Sequence, residues 1–465
     1  MSEQNQNAGH SPSAPEKKGF TGSVGYVMAV AGSAVGLGNI WRFPYLAAKY
    51  GGGTFLLVYL ILLVTFGYPL IISETALGRM TGKSPVGAFG TFGKGPHFKF
   101  GGWINAIVPM LIAPYYCVIG GWVIKYLFEY IVGNSQGVME DGYFGNFIAS
   151  PMGMEVCFLV FAVMVIAVVF CGIVNGVEKT SMVMMPILLV LAVVIAVYSM
   201  TRPGAMEGVK YFLIPDWSQF SLLTVGAALG QLFFSLSIAM GILYTYGSYI
   251  QQDVDIEKTT KQVAIFDTSV ALLAGLMIIP AVFAFSGGDA DALNSGPSLM
   301  FITIPKVFAS MGMGGIVGVA FFLMVLFAAL TSAISLMETG VATFQDQTGW
   351  SRNKCGVLMS FVILAVGTLC AFGFNLWDFI QPFGMSVLDF LDFITNSIMM
   401  PIGALCTCLL IVRVVGRKKI GEEIKASSPF QLQKMYNFSI AYLAPICLIV
   451  ILLLSVGNVL GWITI

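Results

Sequence analysis

Apolar segments long enough to cross a membrane recur along almost the whole chain, separated by short polar stretches. About 20 consecutive apolar residues suffice for an α-helix to span the hydrocarbon core of a bilayer. The pattern predicts eleven spans, several of them long enough to require tilt or an extension beyond the membrane. Numbered in chain order, the predicted spans are residues 22–49, 53–80, 100–132, 154–173, 178–200, 220–250, 259–287, 312–346, 353–374, 386–412 and 438–462.

The composition also indicates an all-α polytopic protein of the lipid bilayer. Hydrophobic residues make up 57% of the chain and charged residues only 10%, and a soluble domain cannot bury that much apolar surface. The formal net charge is +0, so nothing favours nucleic acid as a partner, and no segment indicates a required protein partner. The eight cysteines lack metal-ligand spacing, and we interpret them as small hydrophobic residues without disulfide bonds.

The distribution of basic residues predicts the orientation, because loops that face the cytoplasm carry an excess of lysine and arginine. With a cytoplasmic N-terminus, the inward loops contain most of the basic residues, including a dense group from Arg413 to Lys434, and the outward loops contain only Arg202, Lys210 and Lys306. An odd number of spans then places the C-terminus outside the cytoplasm. The expected location is the cell inner (cytoplasmic) membrane.

Two spans, the first and the sixth, contain residues that disfavour a continuous helix. The segment Ser33–Pro44 combines glycines with Asn39 and Arg42, and the segment Phe233–Tyr249 combines serines with a glycine. Small residues alone would also suit close helix packing. Because the two spans are five apart, the second is inverted relative to the first, as in an inverted repeat whose discontinuous helices frame a binding site near the midplane.

An inverted repeat of this kind divides the chain into two repeats of five spans each, plus one extra helix. The first 19 residues are polar and lack an apolar signal core, which predicts a disordered cytoplasmic tail rather than a cleaved peptide. The predicted parts are a tail at 1–19, a first inverted repeat at 20–200, an extracellular loop at 201–219, a second inverted repeat at 220–413, a cytoplasmic loop at 414–437 and the eleventh span at 438–465.

Polar residues inside the spans are costly, so each requires a reason. Asp267 has no basic neighbour in its segment, which favours a bound cation or a proton as its partner. The adjacent hydroxyls of Thr331 and Ser332 either bond their own backbone or ligate a hard cation. Glu74 and Glu338 would brace the backbone at a break or lie at an interface.

The chain resembles the neurotransmitter:sodium symporter family, in particular its bacterial amino-acid transporters with the LeuT fold. The resemblance is strongest in Gly32–Phe55, Gly230–Gly241 and Phe327–Glu338, which fall where the first, sixth and eighth helices of the family belong. It implies a sodium-coupled symporter that imports an amino acid by alternating access, with Na⁺ at two sites.

The resemblance implies specific ligands for both ions. The first sodium would be bound by the Ala34 carbonyl, Asn39, Ser235, Asp267 and the substrate carboxylate, so that ion and substrate binding would be coupled. The second sodium would be bound by the carbonyls of Gly32, Val35 and Ala328 and the hydroxyls of Thr331 and Ser332.

The resemblance also implies a substrate site. The substrate carboxylate would meet amides near Gly36 and Gly38 and the hydroxyl of Tyr116, and the ammonium would meet carbonyls near Ala34, Phe234 and Ser237. The side-chain pocket would be lined by Ile112, Phe234, Ser237, Met240, Ser332 and Leu336, with Ser235 adjoining. This lining carries no charge, which favours hydrophobic or aromatic L-amino acids.

Gates and a hinge complete the implied machinery. Arg42 and Asp392 resemble the outer gate, beneath a lid of Tyr116 and Phe234. Asp346 and Tyr249 match the inner gate, in which Lys17 and Phe20 occupy places where the family usually has arginine and tryptophan. Lysine lacks the guanidinium fork, so we expect a weaker inner latch. Gly176 and Pro186 would form a hinge in span 5.

The resemblance predicts chloride independence, because a fixed carboxylate replaces a bound anion. Asp267 occupies a position that is often asparagine in the family, and Ala271 replaces a serine found in chloride-dependent members.

Two alternatives stay open: a proton-coupled carrier that uses Asp267 as the titrating group, and a transport-silent amino-acid sensor. No catalytic nucleophile or phosphate-binding loop indicates an enzyme.

Overall fold

The computed structural model describes residues 19–93, 95–287, 298–311 and 313–459. Within these ranges every regular element is a helix, apart from an isolated β-bridge between Gly52 and Pro215. The predicted all-α polytopic class is therefore confirmed. Most of the predicted N-terminal tail, including Lys17, lies outside the described residues.

Nine helices in the described part of the chain are long and apolar enough to cross a membrane. They correspond to spans 2–5 and 7–11, and their bounds are Gly53–Thr81, Pro96–Ile131, Pro151–Phe170, Ile173–Met200, Ile256–Ser286, Gly314–Thr348, Arg352–Phe372, Val387–Val415 and Gln433–Gly457. A tenth span consists of Ser23–Ala34 and Gly38–Lys49, which are bent by 57° relative to each other.

The predicted count of eleven is not confirmed by length and apolarity, and the difference lies in span 6. That segment forms two helices, Leu222–Ser235 and Ile242–Gly247, neither of which is long enough to count as a span by itself. The predicted loops also contain helices, Ala205–Leu213 on one side and Arg417–Lys425 on the other. The sequence pattern missed both because neither is long enough or apolar enough to resemble a span.

Spans 3 and 8 form the centre of the bundle, and spans 4, 5 and 11 lie at its periphery. The most apolar windows of spans 3 and 8 are 78% and 72% buried within the protein, against 33% for each of the three peripheral spans. The exposed residues of the peripheral spans are large and apolar, such as Val163, Val190 and Leu453. In a polytopic chain, these faces are in contact with the hydrocarbon of the bilayer.

The break in span 6 contains a backbone conformation that side chains usually avoid. Ser237 and Ala239 have positive φ angles of 53° and 58°, a conformation that costs a non-glycine residue free energy and persists only when neighbouring groups fix it. The fully buried Glu74 of span 2 supplies one such group, because its Oε1 accepts a hydrogen bond from the Ala239 amide at 3.0 Å. Glu74 therefore braces a break, which is one of its two predicted roles.

Glu338 has the other predicted role, at an interface between helices. Its carboxylate forms an ion pair with Arg352 of span 9 at 2.5 Å and accepts a hydrogen bond from the Tyr249 hydroxyl at 2.9 Å. These contacts join span 8 to span 9 and to the end of span 6, away from the two breaks.

Candidate substrate and sodium site

The breaks in spans 1 and 6 face each other and are in direct contact. The first half of span 1 ends at Ala34, and Val35 adopts an extended conformation with φ −73° and ψ 102°. The Ser237 hydroxyl lies 3.0 Å from the Ser33 hydroxyl and 3.1 Å from the Ser33 carbonyl oxygen. Backbone groups of both spans are thereby freed from helical hydrogen bonding in the same small volume.

Glycine is required in span 1 because side chains of other spans approach its backbone closely. A Cβ atom on Gly36 would lie 2.8 Å from the Tyr116 hydroxyl and 3.0 Å from the Ser332 hydroxyl, and a Cβ atom on Gly38 would lie 2.6 Å from the Phe234 ring. These distances are shorter than van der Waals contact, so the two glycines allow span 3 and span 6 to reach the break.

A cavity of about 30 Å³ lies between the two breaks. Every residue predicted for the substrate site lines it: Ala34, Gly36, Gly38, Ile112, Tyr116, Phe234, Ser235, Ser237, Met240, Ser332 and Leu336. Ser33, Asn39 and Ile242 complete the lining, and no lining residue is charged. The sequence prediction missed Ser33 and Ile242, although both lie within two residues of predicted ones.

The polar end of this cavity consists of backbone amides and hydroxyls. The Tyr116 hydroxyl accepts a hydrogen bond from the Leu37 amide at 3.1 Å, and the Asn39 side-chain oxygen accepts one from the Gly36 amide at 3.2 Å. The rest of the lining includes Ile112, Met240 and other apolar side chains. Such an arrangement suits a ligand with one charged or polar end and one apolar end.

Asp267 of span 7 lies beside the cavity, and two of the other predicted ligands of the first sodium, Asn39 and Ser235, hydrogen-bond to it. Its Oδ1 accepts hydrogen bonds from Asn39 Nδ2 at 2.8 Å and from the Ser235 hydroxyl at 3.0 Å, and its Oδ2 lies 3.1 Å from the same hydroxyl. Neither hydrogen-bond partner carries a positive charge, and the Asp267 side chain is fully buried. A carboxylate in such surroundings favours a bound cation or a proton.

The predicted ligands of the second sodium also converge, between spans 1 and 8. The Ser332 hydroxyl lies 3.2 Å from each of three carbonyl oxygens, those of Gly32, Ser33 and Val35. The Thr331 hydroxyl bonds within its own helix, to the Phe327 carbonyl at 2.9 Å and to the Ala328 carbonyl at 3.3 Å. Carbonyl and hydroxyl oxygens are the ligands that hard cations prefer. By contrast, the described residues contain no cluster of three His, Cys, Asp or Glu side chains suited to a transition metal.

A larger cavity of about 340 Å³ lies on the outer side of Tyr116 and Phe234, which line both cavities and separate them. The predicted outer gate residues, Arg42 and Asp392, line this outer cavity. No ion pair among the described residues joins them. The Arg42 guanidinium lies 5.5 Å from the centre of the Phe234 ring, and Asp392 accepts a hydrogen bond from the Tyr115 hydroxyl at 3.1 Å. Direct pairing at a closed gate stays a prediction.

On the opposite side, Phe20 seals the bundle beneath the cavity. Its amide donates to the Tyr249 carbonyl at 3.1 Å, and its buried ring makes edge contacts with Tyr26, Tyr246 and Tyr249 at 5.4–6.0 Å. Asp346, the predicted acid of the inner gate, accepts a hydrogen bond from the Ser84 amide at 2.5 Å. Lys17 lies outside the described residues, so its predicted pairing with Asp346 stays a prediction.

The predicted hinge lies in a continuous span 5. Gly176 belongs to a π-helical segment, Ile173–Glu178, and Pro186 lies inside the helix Lys179–Met200. Glu178 ties this end of the span to span 1, because its carboxylate accepts hydrogen bonds from the Thr21 amide at 3.1 Å and from the Thr21 hydroxyl. Unwinding at Gly176 would therefore strain or break a contact to the N-terminal segment, which the sequence did not indicate.

The family model of the sodium:neurotransmitter symporter family matches residues 17–135 and 147–461. The chain belongs to this family. Among curated relatives, it is 33% identical over 443 residues to the uncharacterized sodium-dependent transporter YhdH of Bacillus subtilis (strain 168), covering 94% of this chain and 97% of the relative. It is 31% identical over 450 residues to an uncharacterized sodium-dependent transporter of Haemophilus influenzae, covering 94% of this chain and 97% of that relative.

Solved structures include a similar protein with a bound amino acid. The crystal structure of MhsT in complex with L-phenylalanine matches with a TM-score of 0.84 and 35% sequence identity, covering 95% of this chain and 100% of the MhsT chain. The symporter described here is thus a multi-pass, sodium-dependent transporter with the LeuT fold, and it is not an enzyme.

Proposed function

We propose that this symporter imports hydrophobic or aromatic L-amino acids together with two sodium ions, by alternating access and without chloride. The observation that carries the proposal is the uncharged central cavity between two unwound segments. Backbone amides and carbonyls at the breaks in spans 1 and 6, which helical hydrogen bonding does not use, would bind the carboxylate and ammonium groups that all amino acids share. The apolar end, formed by Ile112, Met240 and Leu336, would select the side chain.

The geometry also suggests how sodium binding would be coupled to substrate binding. Asn39 and Ser235 line the cavity and also hydrogen-bond to Asp267. A sodium ion at Asp267 would share these residues with the substrate carboxylate, so each ligand would raise the affinity of the other by the same factor. Inward movement of each sodium ion would contribute about 2.3 kcal/mol per 100 mV of membrane potential.

The second sodium would link span 1 to span 8 through the oxygens around Ser332. Because these carbonyls belong to the end of the first half of span 1, release of this ion would free that half to move. The hinge at Gly176 and Pro186 and the gate residues Arg42, Asp392, Tyr249, Asp346 and Lys17 would then control access from the two sides.

The size of the cavity bears on the substrate. A cavity of about 30 Å³ holds only a few water molecules, so an apolar amino acid requires the lining side chains to move. Met240 has a flexible thioether that can adapt to different ring sizes, and Phe234 borders the larger outer cavity. The amino acid in the MhsT complex, L-phenylalanine, supports a substrate of this class.

We also propose that transport does not require chloride and that the N-terminus faces the cytoplasm. Asp267 supplies a fixed negative charge, and Ala271 lacks a hydroxyl that would help to bind an anion. The excess of basic residues on one side supports a cytoplasmic N-terminus, an extracytoplasmic C-terminus and a location in the cell inner membrane.

Uptake into proteoliposomes tests the proposal. The purified symporter is reconstituted, and the uptake of labelled leucine, phenylalanine and tryptophan is compared with that of lysine under an inward sodium gradient, with protein-free liposomes as the blank. We expect uptake of the apolar substrates in sodium, little in potassium, and no loss when gluconate replaces chloride. Uptake driven by a pH gradient without sodium would instead support the proton-coupled carrier. Sodium-dependent binding without counterflow would support the sensor.

A further inference from the structure

A third cavity, separate from the transport pathway, lies at the end of the bundle that is predicted to face the cytoplasm. It is formed by the start of span 3, the end of span 10 and the short helix Pro85–Thr91, and its volume is about 260 Å³. We call it the span 3–10 groove. Its lining is mostly apolar and includes Phe89, Phe98, Phe100, Leu409 and Val414, with His97 and Arg413 as the polar members.

The apolar lining of the groove is open on its outer side. Phe100 is 59% exposed, Leu409 is 50% exposed and Val414 is 40% exposed. In a membrane protein, exposed apolar side chains on the ends of spanning helices are in contact with acyl chains. The groove therefore opens sideways, into the leaflet predicted to be cytoplasmic.

Arg413 gives the groove a positive charge. It lies in the last turn of span 10 and is exposed. Within the part of the chain that the structure describes, no ion pair involves Arg413. His97 and Lys99 lie at the start of span 3, on the same side of the bundle. A guanidinium group binds phosphate with two parallel hydrogen bonds, and the cytoplasmic leaflet is the one rich in anionic headgroups.

We propose that the span 3–10 groove binds an anionic phospholipid of the cytoplasmic leaflet. The guanidinium of Arg413 binds the lipid phosphate, and one acyl chain lies along Leu409 and Phe100. The bound lipid holds the end of span 10 against the start of span 3. The positive charge of Arg413 and the sideways opening of the apolar groove together favour an anionic lipid as the occupant. A soluble anion would interact only with Arg413 and would leave the apolar lining without a partner.

Native mass spectrometry of the purified full-length symporter in a neutral detergent tests this site. We expect phosphatidylglycerol to form more lipid adducts than phosphatidylcholine with the same acyl chains. In a thermal-unfolding assay, phosphatidylglycerol should also raise the melting temperature of the symporter more than phosphatidylcholine does. Arg413→Gln should weaken phosphatidylglycerol binding about tenfold, as expected for the loss of a charge-assisted contact. Leu409→Trp should weaken it as well, because the indole fills the groove while the charge is unchanged.

The control variant is Lys418→Gln, which removes a nearby basic side chain that is 91% exposed and does not line the groove. It should bind phosphatidylglycerol as the wild type does. Equal binding by Arg413→Gln and wild type would overturn the proposal, as would equal stabilisation by phosphatidylcholine or by glycerol 1-phosphate. A dimer peak that Leu409→Trp abolishes, without any lipid adduct, would show the groove to be a contact between two copies and would also overturn it.

Discussion

Replacing Asp267 by asparagine removes a negative charge from the predicted first sodium site while preserving its shape. The remaining Oδ1 can still accept the hydrogen bonds from Asn39 and Ser235, which lie at 2.8 and 3.0 Å in the wild-type protein. We therefore expect Asp267→Asn to fold and to insert normally. Its defect should lie in ion binding and, through the proposed coupling, in substrate binding.

The size of the defect follows from the charge that is lost. Two unit charges about 4 Å apart interact by about 4 kcal/mol at the effective dielectric constant of ~20 that suits protein sites. Because each 1.4 kcal/mol corresponds to a tenfold change, this value sets an upper limit near a thousandfold. We expect sodium affinity to fall by roughly 100- to 1,000-fold, since a neutral amide oxygen still ligates the ion weakly.

The assay is a sodium titration of labelled-phenylalanine binding, with potassium added to keep the ionic strength constant. Asp389→Asn serves as the control, because Asp389 is exposed and lines the outer cavity instead. The half-saturating sodium concentration should rise strongly for Asp267→Asn and stay unchanged for the control. An unchanged sodium dependence in Asp267→Asn would refute the assignment of this carboxylate as a sodium ligand.

The same position gives a test of chloride independence. If the carboxylate replaces a bound anion, the double variant with Asp267→Asn and Ala271→Ser should regain sodium binding in chloride but not in gluconate. Loss of wild-type binding in gluconate would contradict the reasoning directly.

Three further predictions concern the backbone breaks and the second sodium site. Thr331→Val removes a predicted hydroxyl ligand of the second sodium without changing the side-chain volume, so the sodium affinity of transport should fall roughly tenfold, the equivalent of about 1.4 kcal/mol. Gly36→Ala places a Cβ atom 2.8 Å from the Tyr116 hydroxyl, so substrate binding should be lost while the protein still inserts, as measured by binding and by gel filtration. Glu74→Ala leaves the Ala239 amide without its partner, so thermal unfolding should show a loss of about 1–3 kcal/mol in stability.

Each of these variants has a matched control in the chain. Thr343→Val removes a buried hydroxyl of span 8 that has no hydrogen-bond partner in the structure, and it should leave the sodium dependence intact. Gly315→Ala places a Cβ atom in open space and should bind substrate normally. Glu74→Gln keeps an oxygen that can accept from the Ala239 amide and should be more stable than Glu74→Ala. If a control changes as much as its partner variant does, the proposed local cause is wrong.

The breaks in spans 1 and 6 could be predicted from the sequence because they depend on local composition. Glycines, serines and polar side chains interrupt two apolar segments at a spacing of five spans, and the structure has non-helical backbone at Val35 and at Ser237. The residues that line the central cavity could be predicted only through the family resemblance, since nothing in the spacing of Ile112, Phe234 and Ser332 shows that they share a cavity. The structure brings them together from spans 3, 6 and 8.

Other features depend on contacts between distant segments, for which no local pattern in the sequence is a signal. Arg79 looks like an ordinary cytoplasmic loop residue, yet its buried guanidinium bonds to Glu423 and to the Val254 carbonyl, each at 2.7 Å. The contact of Glu178 with Thr21 likewise joins residues 157 positions apart. Such pairs arise from the way in which the helices pack, and a hydropathy pattern carries no information about partners.

Two buried carboxylates, Glu74 and Asp267, look alike in the sequence but have different hydrogen-bond partners in the structure. Glu74 and Asp267 both lie in apolar spans, and both side chains are fully buried. Glu74 accepts a hydrogen bond from a fixed backbone amide at a strained turn, so its partner cannot leave. Asp267 is held by Asn39 and Ser235, two side chains that also line the central cavity and can turn towards a ligand there. The first arrangement stabilises one backbone conformation, whereas the second allows an ion to be exchanged, and only the second is suited to transport.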